Sequence, residues 1–580
     1  MAQKSRPRTP RKSSYRGFEG VDQKKTHSGD ESIALIENFR ITDDGSLQKR
    51  CGFKEIYKDP QNVYPVSASY SMEKNGIEEC YFTQGTFVKK YIPATQSIVD
   101  IGVISNSSAK PFFFEHLDTL FLCDGNKIFT IAANTLSESS FYIPLYGKDW
   151  PASTAGPINE APNLLWPKVA MSYTLKQGTT HYLPLAKLNV SHIDAVFRNG
   201  VLVDPDTYSI NERYNCIGVS EFNVGDNFFV IVTFTPDEQY EAQRKALFES
   251  TSASAFYELN KNNLFFWGNE TNNNVFYSSA VNEENAKITD TYTTNTRFYV
   301  PVDSFFKAIS ENDRIRAFIR HYDRVLIMTD SSTWITNLEE LENNNLKIKN
   351  INASIGCTIP NGCVRIENTI FSIGKDAIYA WSSNTDELNE CNAFDISAPI
   401  KPLLNNNFFQ SCKIHLNYSK REIWFYSPYE SRIWIYNYTR KSWYSFSGFA
   451  PTAFLDGGDD VRFCEEGAIF VFDRSLNTDT RNNVKYEITG TLKSGELEFN
   501  SKLPKKLCSA TVRGSFSGGR LEFIGRLDGQ KNISSYITPK KAHSVIPFRI
   551  RSGSFSSMNF ELIAKGAGEQ IIHGIELDAD

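Results

Sequence analysis

Seven segments between Gly76 and Asp473 share one plan: a polar turn, an apolar strand, a short turn of Gly, Asp, Asn or Ser, and a second strand ending in an aromatic or aliphatic pair. They are Gly76–Tyr91 (GIEECYFTQGTFVKKY), His116–Ile131, Asn260–Ser279, His321–Thr336, Ile366–Trp381, Lys420–Phe446 and, more weakly, Asp459–Asp473. One four-stranded sheet built on such a hairpin cannot bury both its faces. Radial packing of six or seven sheets does so and leaves only short edges exposed. The spacing therefore predicts a β-propeller, with a run of unrelated sandwich hairpins as the alternative. Composition agrees: 42 Phe and 27 Tyr against 5 Met favour pleated, half-buried surfaces over long helices.

Two regions break the plan. From Trp166 to Thr235 apolar and polar residues alternate around turns at Asn199-Gly200 and Gly225-Asp226, as in a small inserted β-sandwich. Pro236–Glu249 (PDEQYEAQRKALFE) opens with Pro and acidic residues and is the best helix candidate. After Lys485 the pattern changes again. The expected fold is all-β: a flexible basic arm over 1–30, a β-propeller over 31–165 and 236–484 with a short helix near 236–249, an inserted β-sandwich over 166–235, and a C-terminal β-domain over 485–580. Length alone, at roughly 150 residues per domain, gives three or four domains for 580 residues.

Charge narrows the function. With 62 Lys and Arg against 67 Asp and Glu, the net charge of −5 provides no surface-wide field for nucleic acid or anionic membrane, so any such partner has to meet a local patch. The one basic stretch is the N-terminus, where Lys4, Arg6, Arg8, Arg11, Lys12 and Arg16 stand among Pro, Ser and Gly. These six are the candidate partner-docking residues, for an acidic protein surface or DNA phosphates; the competing reading is a solvated tail. MAQKSRPRTPRKSS has no apolar signal core, and no run reaches 18 apolar residues. The expectation is a soluble chain, not exported by the general route and without a membrane-spanning segment.

Motifs for catalysis are weak. The 10 cysteines have no CxxC pair and read as free structural thiols, with a Cys357–Cys363 bridge as the alternative. The 8 histidines include no i, i+4 pair, no phosphate loop is present, and Gly514–Gly518 (GSFSG) misses the Ser-elbow pattern by one position. Carboxylates gather at Asp456, Asp459 and Asp460, at Glu465 with Glu466, and at Glu339, Glu340 and Glu342. Adjacent strand residues point to opposite faces, so Glu465 and Glu466 cannot form a hydrolase pair; these runs read as solvated turns. Trp424, Trp434 and Trp443 read as one core aromatic per strand, not sugar platforms. No catalytic, cofactor-binding or metal-ligating residue is assigned, and the chain is read as a non-enzyme.

The opening SIALIENFRITDDGSLQKRCGF (Ser32–Phe53) joins an apolar strand, an Asp-Gly turn and a Lys-Arg-x-Gly-Phe ending. It resembles the start of bacteriophage tail hub or nozzle proteins of the packaged-DNA stabilisation and tail tubular type. NNLFFWGNETNNNVFYSSA (Asn262–Ala280), DRVLIMTDSSTWIT (Asp323–Thr336), IGCTIPNGCVRIENTIFSIGKDAIYAW (Ile355–Trp381) and RIWIYNYTRKSWYSF (Arg432–Phe446) are similar to the blades of that family, in its order. The resemblance implies a structural virion protein made in the host cytoplasm and assembled as a ring, often a hexamer, on the tail axis. It implies contact with portal, adaptor or other tail proteins, and double-stranded DNA passing through the lumen without sequence-specific binding. The ring would extend the DNA channel, retain the packaged genome and permit its ejection. The alternatives are a carbohydrate-binding propeller of a phage receptor-binding apparatus and a propeller glycosidase. The inserted sandwich is the first candidate for subunit contact, because it lies outside blade packing.

Overall fold

The computed structural model describes residues 11–580 apart from 26–31, 60–63, 75, 106–109, 117, 152–153, 177–181, 186–187, 220–222, 259–260, 280–298, 303, 308–312, 323, 338–346, 382–391, 406, 456–459, 500–502, 530, 540–542 and 551. The fold is all-β, and each of the seven segments singled out in the sequence supplies the central hairpin of a meander sheet. Several of their strands are buried on both faces, which is why they stand out: Glu422–Tyr426 buries all five residues, and Thr369–Ile373 buries four of five. The flanking strands are shorter or more polar. Thr135–Glu138, the last strand of the second meander, buries none of its residues.

The chain divides into two compact units, one made of Met1–Asp100, Cys357–Thr385 and Cys391–Asp580, the other of Ile101–Gly356 and Asp386–Glu390. In the first unit, one meander runs Val66–Lys74, Ile77–Gln84, Phe87–Ile92 and Ser97–Val103. The fifth is Cys363–Ile366, Thr369–Ile373, Ile378–Trp381 and Ala393–Asp395; the sixth is Lys413–Asn417, Glu422–Tyr426, Arg432–Asn437 and Ser442–Ser447. The seventh has only three consecutive strands, Ala453–Leu455, Arg462–Glu465 and Ala468–Asp473. Its fourth comes from the far end of the chain: Gly52–Lys58 pairs antiparallel with Ala468–Asp473, from Gly52 opposite Asp473 to Lys58 opposite Ala468, with a register shift between Ile469 and Phe470. Phe53 anchors that strand, its ring 5.1–5.8 Å from those of Phe449, Phe463, Phe470 and Phe472. The hairpin Thr478–Arg481 and Val484–Glu487 extends the sheet beyond it.

The C-terminal β-domain is not confined to 485–580. Its first sheet continues the sixth meander through Ile33–Glu37 to Gly490–Ser494, Met558–Lys565, Arg520–Leu527 and Lys531–Ile537. Its second is Phe39–Ile41, Leu47–Lys49, Gln570–Ala579, Leu507–Phe516 and His543–Phe548, with Arg11–Arg16 also paired to Gln570–Ala579. Residues expected in the arm and in the first propeller strand thus complete the C-terminal sheets. Local pattern cannot reveal pairings between residues more than five hundred positions apart.

In the second unit, meanders two to four comprise Phe112–His116 to Thr135–Glu138, Ser252–Glu258 to Phe305–Lys307, and Ile315–His321 to Ile348–Asn352. The inserted module has one sheet ordered Leu145–Pro151, Lys168–Thr174, Asn227–Phe234, Val190–Arg198 and Val201–Leu202, and a second of Tyr182–Pro184, Cys216–Val219 and Tyr208–Asn211. Val169, Met171, Tyr173, Val196, Ile217 and Val230 bury in a core also lined by the helix Glu238–Phe248. That helix starts where the sequence places it, because the Asp237 carboxylate caps the Tyr240 amide at 2.8 Å. Leu145–Pro151 joins the module although its LYGKDWP sequence does not alternate; Trp150 sets it by packing edge-to-face on Tyr173 at 6.2 Å.

Candidate functional site

Of the six basic docking candidates, Lys4, Arg6 and Arg8 lie outside the described residues, and Arg11, Lys12 and Arg16 lie on the strand Arg11–Arg16. The expectation of a flexible arm through residue 30 is corrected there. Ser13 and Tyr15 alternate inward, Tyr15 meeting Phe560 edge-to-face at 5.4 Å, while Lys12 and Arg16 face outward. Arg16 donates to Glu576 at 2.5 Å, Arg513 reaches the other oxygen of that carboxylate at 3.2 Å, and Lys12 stands 3.8 Å from Asp578. Hydrogen bonds from Arg16 and then Arg513 hold the Glu576 carboxyl below its ordinary range. The charge read as available to a partner is therefore partly matched by the C-terminal strand.

Buried polar chemistry concentrates at the Lys-Arg-x-Gly-Phe motif, in a role the sequence does not disclose. Arg50 forms a two-pronged pair with Asp479 at 2.8 and 2.7 Å, its Nε donates to Asn38 Oδ1 at 2.9 Å, and it also donates to the Ser447 carbonyl at 3.0 Å. Its guanidinium lies 5.5–6.0 Å from the ring centres of Phe53, Phe446 and Phe449. A two-pronged fork fixes geometry as well as charge, which Lys could not do. Gly52 permits the approach: a Cβ there would stand 2.0 Å from the Thr478 carbonyl oxygen. Motif and partner are far apart in sequence, since Arg50 and Asp479 are separated by 429 positions.

A second clamp is centred on Glu422, fully buried in the sixth meander. It accepts from Arg40 at 2.5 and 3.2 Å, from the Trp424 indole at 2.8 Å, and from the Tyr444 hydroxyl. Burial by itself would lower the Arg40 pKa, but the Glu422 charge and hydrogen bond hold it above its ordinary value. Burial first, and then Glu422, push the Tyr444 hydroxyl well up. Both clamps join the N-terminal strands to later ones. Their groups already satisfy one another, an arrangement suited to holding structure.

The other candidates disperse. Glu465 is paired with Arg481 at 2.7 Å and Glu466 sits in a turn at φ 48°, while Asp460 is exposed. Asp456, Asp459, Glu339, Glu340 and Glu342 lie outside the described residues. Trp424, Trp434 and Trp443 are core residues, at most 2% exposed. Cys357 and Cys363 are free thiols, and burial pushes the Cys80 and Cys123 thiols up to about 12. Among the described residues no three His, Cys, Asp or Glu side chains gather as a metal site requires, and no helix is long and apolar enough to cross a membrane.

No protein-family model and no curated protein matches the sequence. Among solved structures the chain is similar to the AfRom2 CNH domain, with 8% identity, 73% of this chain and 99% of that chain covered, and a TM-score of 0.31. It is also similar to a chain of the mitotic checkpoint complex (7% identity, 72% and 92% covered, TM-score 0.33) and to apo AztD from Citrobacter koseri (10%, 66% and 86%, 0.27). At such scores these likenesses carry no argument about this chain.

Proposed function

We propose that the seven meanders are the blades of one β-propeller and that the protein is a structural component of a phage tail. Copies of it, six in the expected ring, surround the tail axis, extend the DNA channel, retain the packaged genome and let it leave. The observation that carries the propeller reading is the completion of the seventh meander by Gly52–Lys58, because pairing an early strand with a late one in a single sheet is one way to close a circular array. The tail reading rests on the family resemblance of the opening and of the blade order. The chemistry fits assembly: Arg50 and Arg40 are locked in pairs that tie distant segments together, and the basic strand Arg11–Arg16 lies at a sheet edge beside portal, adaptor or other tail partners in this reading.

The test is electron microscopy of the native particle with mass determination of the protein. A closed ring on the tail axis with a channel wide enough for duplex DNA supports the proposal. Single peripheral copies or trimers overturn it.

A second reading, glycan recognition by a receptor-binding apparatus, is favoured by one observation. Tyr182 and Tyr214 stand exposed in the inserted module with ring centres 6.5 Å apart, and Arg213 lies 5.5 Å from the Tyr214 ring. Exposed aromatic faces of this kind can stack on sugar rings. Binding in a glycan screen that Tyr214→Ala abolishes would favour this reading.

A further inference from the structure

A cavity of about 360 Å³ opens in the first unit between the Lys-Arg-x-Gly-Phe motif and the seventh meander, and Arg40, Lys49, Arg50, Lys420 and Arg474 line it. Its acidic lining residues are Asp460 and Glu569, and its apolar wall includes Trp424, Phe446 and Phe472. The cations differ in kind. Arg40 and Arg50 are held from behind by Glu422 and Asp479, so they form a fixed wall whose charge is matched. Lys49 and Arg474 form no ion pair with any described residue. Lys49 is only 6% exposed, and its ammonium donates to the neutral Gly566 carbonyl at 2.6 Å.

Burying an ammonium whose hydrogen-bond acceptor is a neutral carbonyl is costly, and an anion in the cavity would reduce that cost. Burial already depresses the Lys49 pKa to about 8, with Glu487 opposing and Arg50 adding to the shift. Asn417, Gln48 and Asn477 supply neutral polar groups to the same lining. Glu569 is engaged by Gln48 at 3.0 Å, at the rim. The volume accommodates a phosphate or pyrophosphate group and excludes a duplex.

We propose that this cavity is a binding site for a tetrahedral oxyanion, a phosphoryl or sulfuryl group, held by Lys49 and Arg474 against the wall of Arg40 and Arg50. The inference goes beyond the tail reading and does not depend on it.

Calorimetric titration of the full chain with sulfate and with pyrophosphate tests it. Binding is expected, weakened tenfold or more by Lys49→Met and by Arg474→Gln and unchanged by Lys58→Gln outside the cavity. Sulfate stays ionised across the range, so its affinity should fall between pH 7 and pH 9 as Lys49 loses its proton, and Lys49→Met should abolish that fall. Glu487, Asp460, Glu569, Lys420, Arg474 and the two paired arginines are the other charged groups of this region. Arg474 is exposed, so its variant keeps the test valid should Lys49→Met fail to fold.

A 5′-phosphorylated oligonucleotide compared with its 5′-hydroxyl form and with pyrophosphate identifies the source: preference for the phosphorylated strand points to a DNA end, preference for pyrophosphate to a free anion. No binding of either anion at millimolar concentration, or binding that survives both substitutions, overturns the proposal.

Discussion

Arg50–Asp479 and Arg16–Glu576 are both arginine–carboxylate pairs joining the first fifty residues to the last hundred or so, yet the two regions differ in what surrounds them. The side chains of the first pair are 2% and 7% exposed, those of the second 68% and 26%. In the first, water is gone, the fork is two-pronged, and three aromatic rings enclose the guanidinium. In the second, solvent and salt screen the charges, and Arg513 shares the carboxylate. One pair locks the strand that completes the seventh meander. The other only trims an edge.

The sharpest way to break this comparison is to remove one member of the buried pair. Asp479→Ala should destabilise by about 3–5 kcal/mol, read as a shifted urea midpoint, because it strands a buried guanidinium. Gly52→Ala should cost about 1–3 kcal/mol through overpacking against the Thr478 carbonyl, with no charge altered. An acid titration gives a smaller effect in between. Ser475 and Lys54 hydrogen bonds hold the Asp473 carboxyl near pH 2, below the ordinary 3.8, so its contribution is present above about pH 4 and disappears as the pH falls through 2. Lys54→Met should flatten that acid limb. Arg16→Ala should cost at most about 1 kcal/mol and become silent at 1 M salt. If Arg16→Ala matched Asp479→Ala, the distinction between lock and edge would fall.

The sequence reveals sheet centres better than sheet edges. Seven hairpins were readable because strands such as Ile423–Tyr426 and Ile433–Tyr436 are unbroken apolar runs bounded by turn residues. Thr135–Glu138 and Gly52–Lys58 were not: the first is nearly all polar, and the second finds its partner some four hundred residues away. In the basic arm, Pro, Ser and Arg signalled disorder more strongly than two inward residues, Ser13 and Tyr15, signalled a strand. The motif Lys49-Arg50-Cys51-Gly52-Phe53 was legible as a motif, but its use was not. Arg50 needs Asp479, Gly52 needs Thr478 and Phe53 needs Phe463, and sequence order brings none of them near.

The strand Gly52–Lys58 also sets a timetable for the chain as it is made. Its partner Ala468–Asp473 is translated some four hundred residues after it, roughly 20–80 s later at 5–20 residues per second. Throughout that interval a strand carrying Phe53 lacks the antiparallel partner its amides take in the folded chain. A chain that stops before Ala468 therefore leaves Gly52–Lys58 without the strand that joins it to the seventh meander.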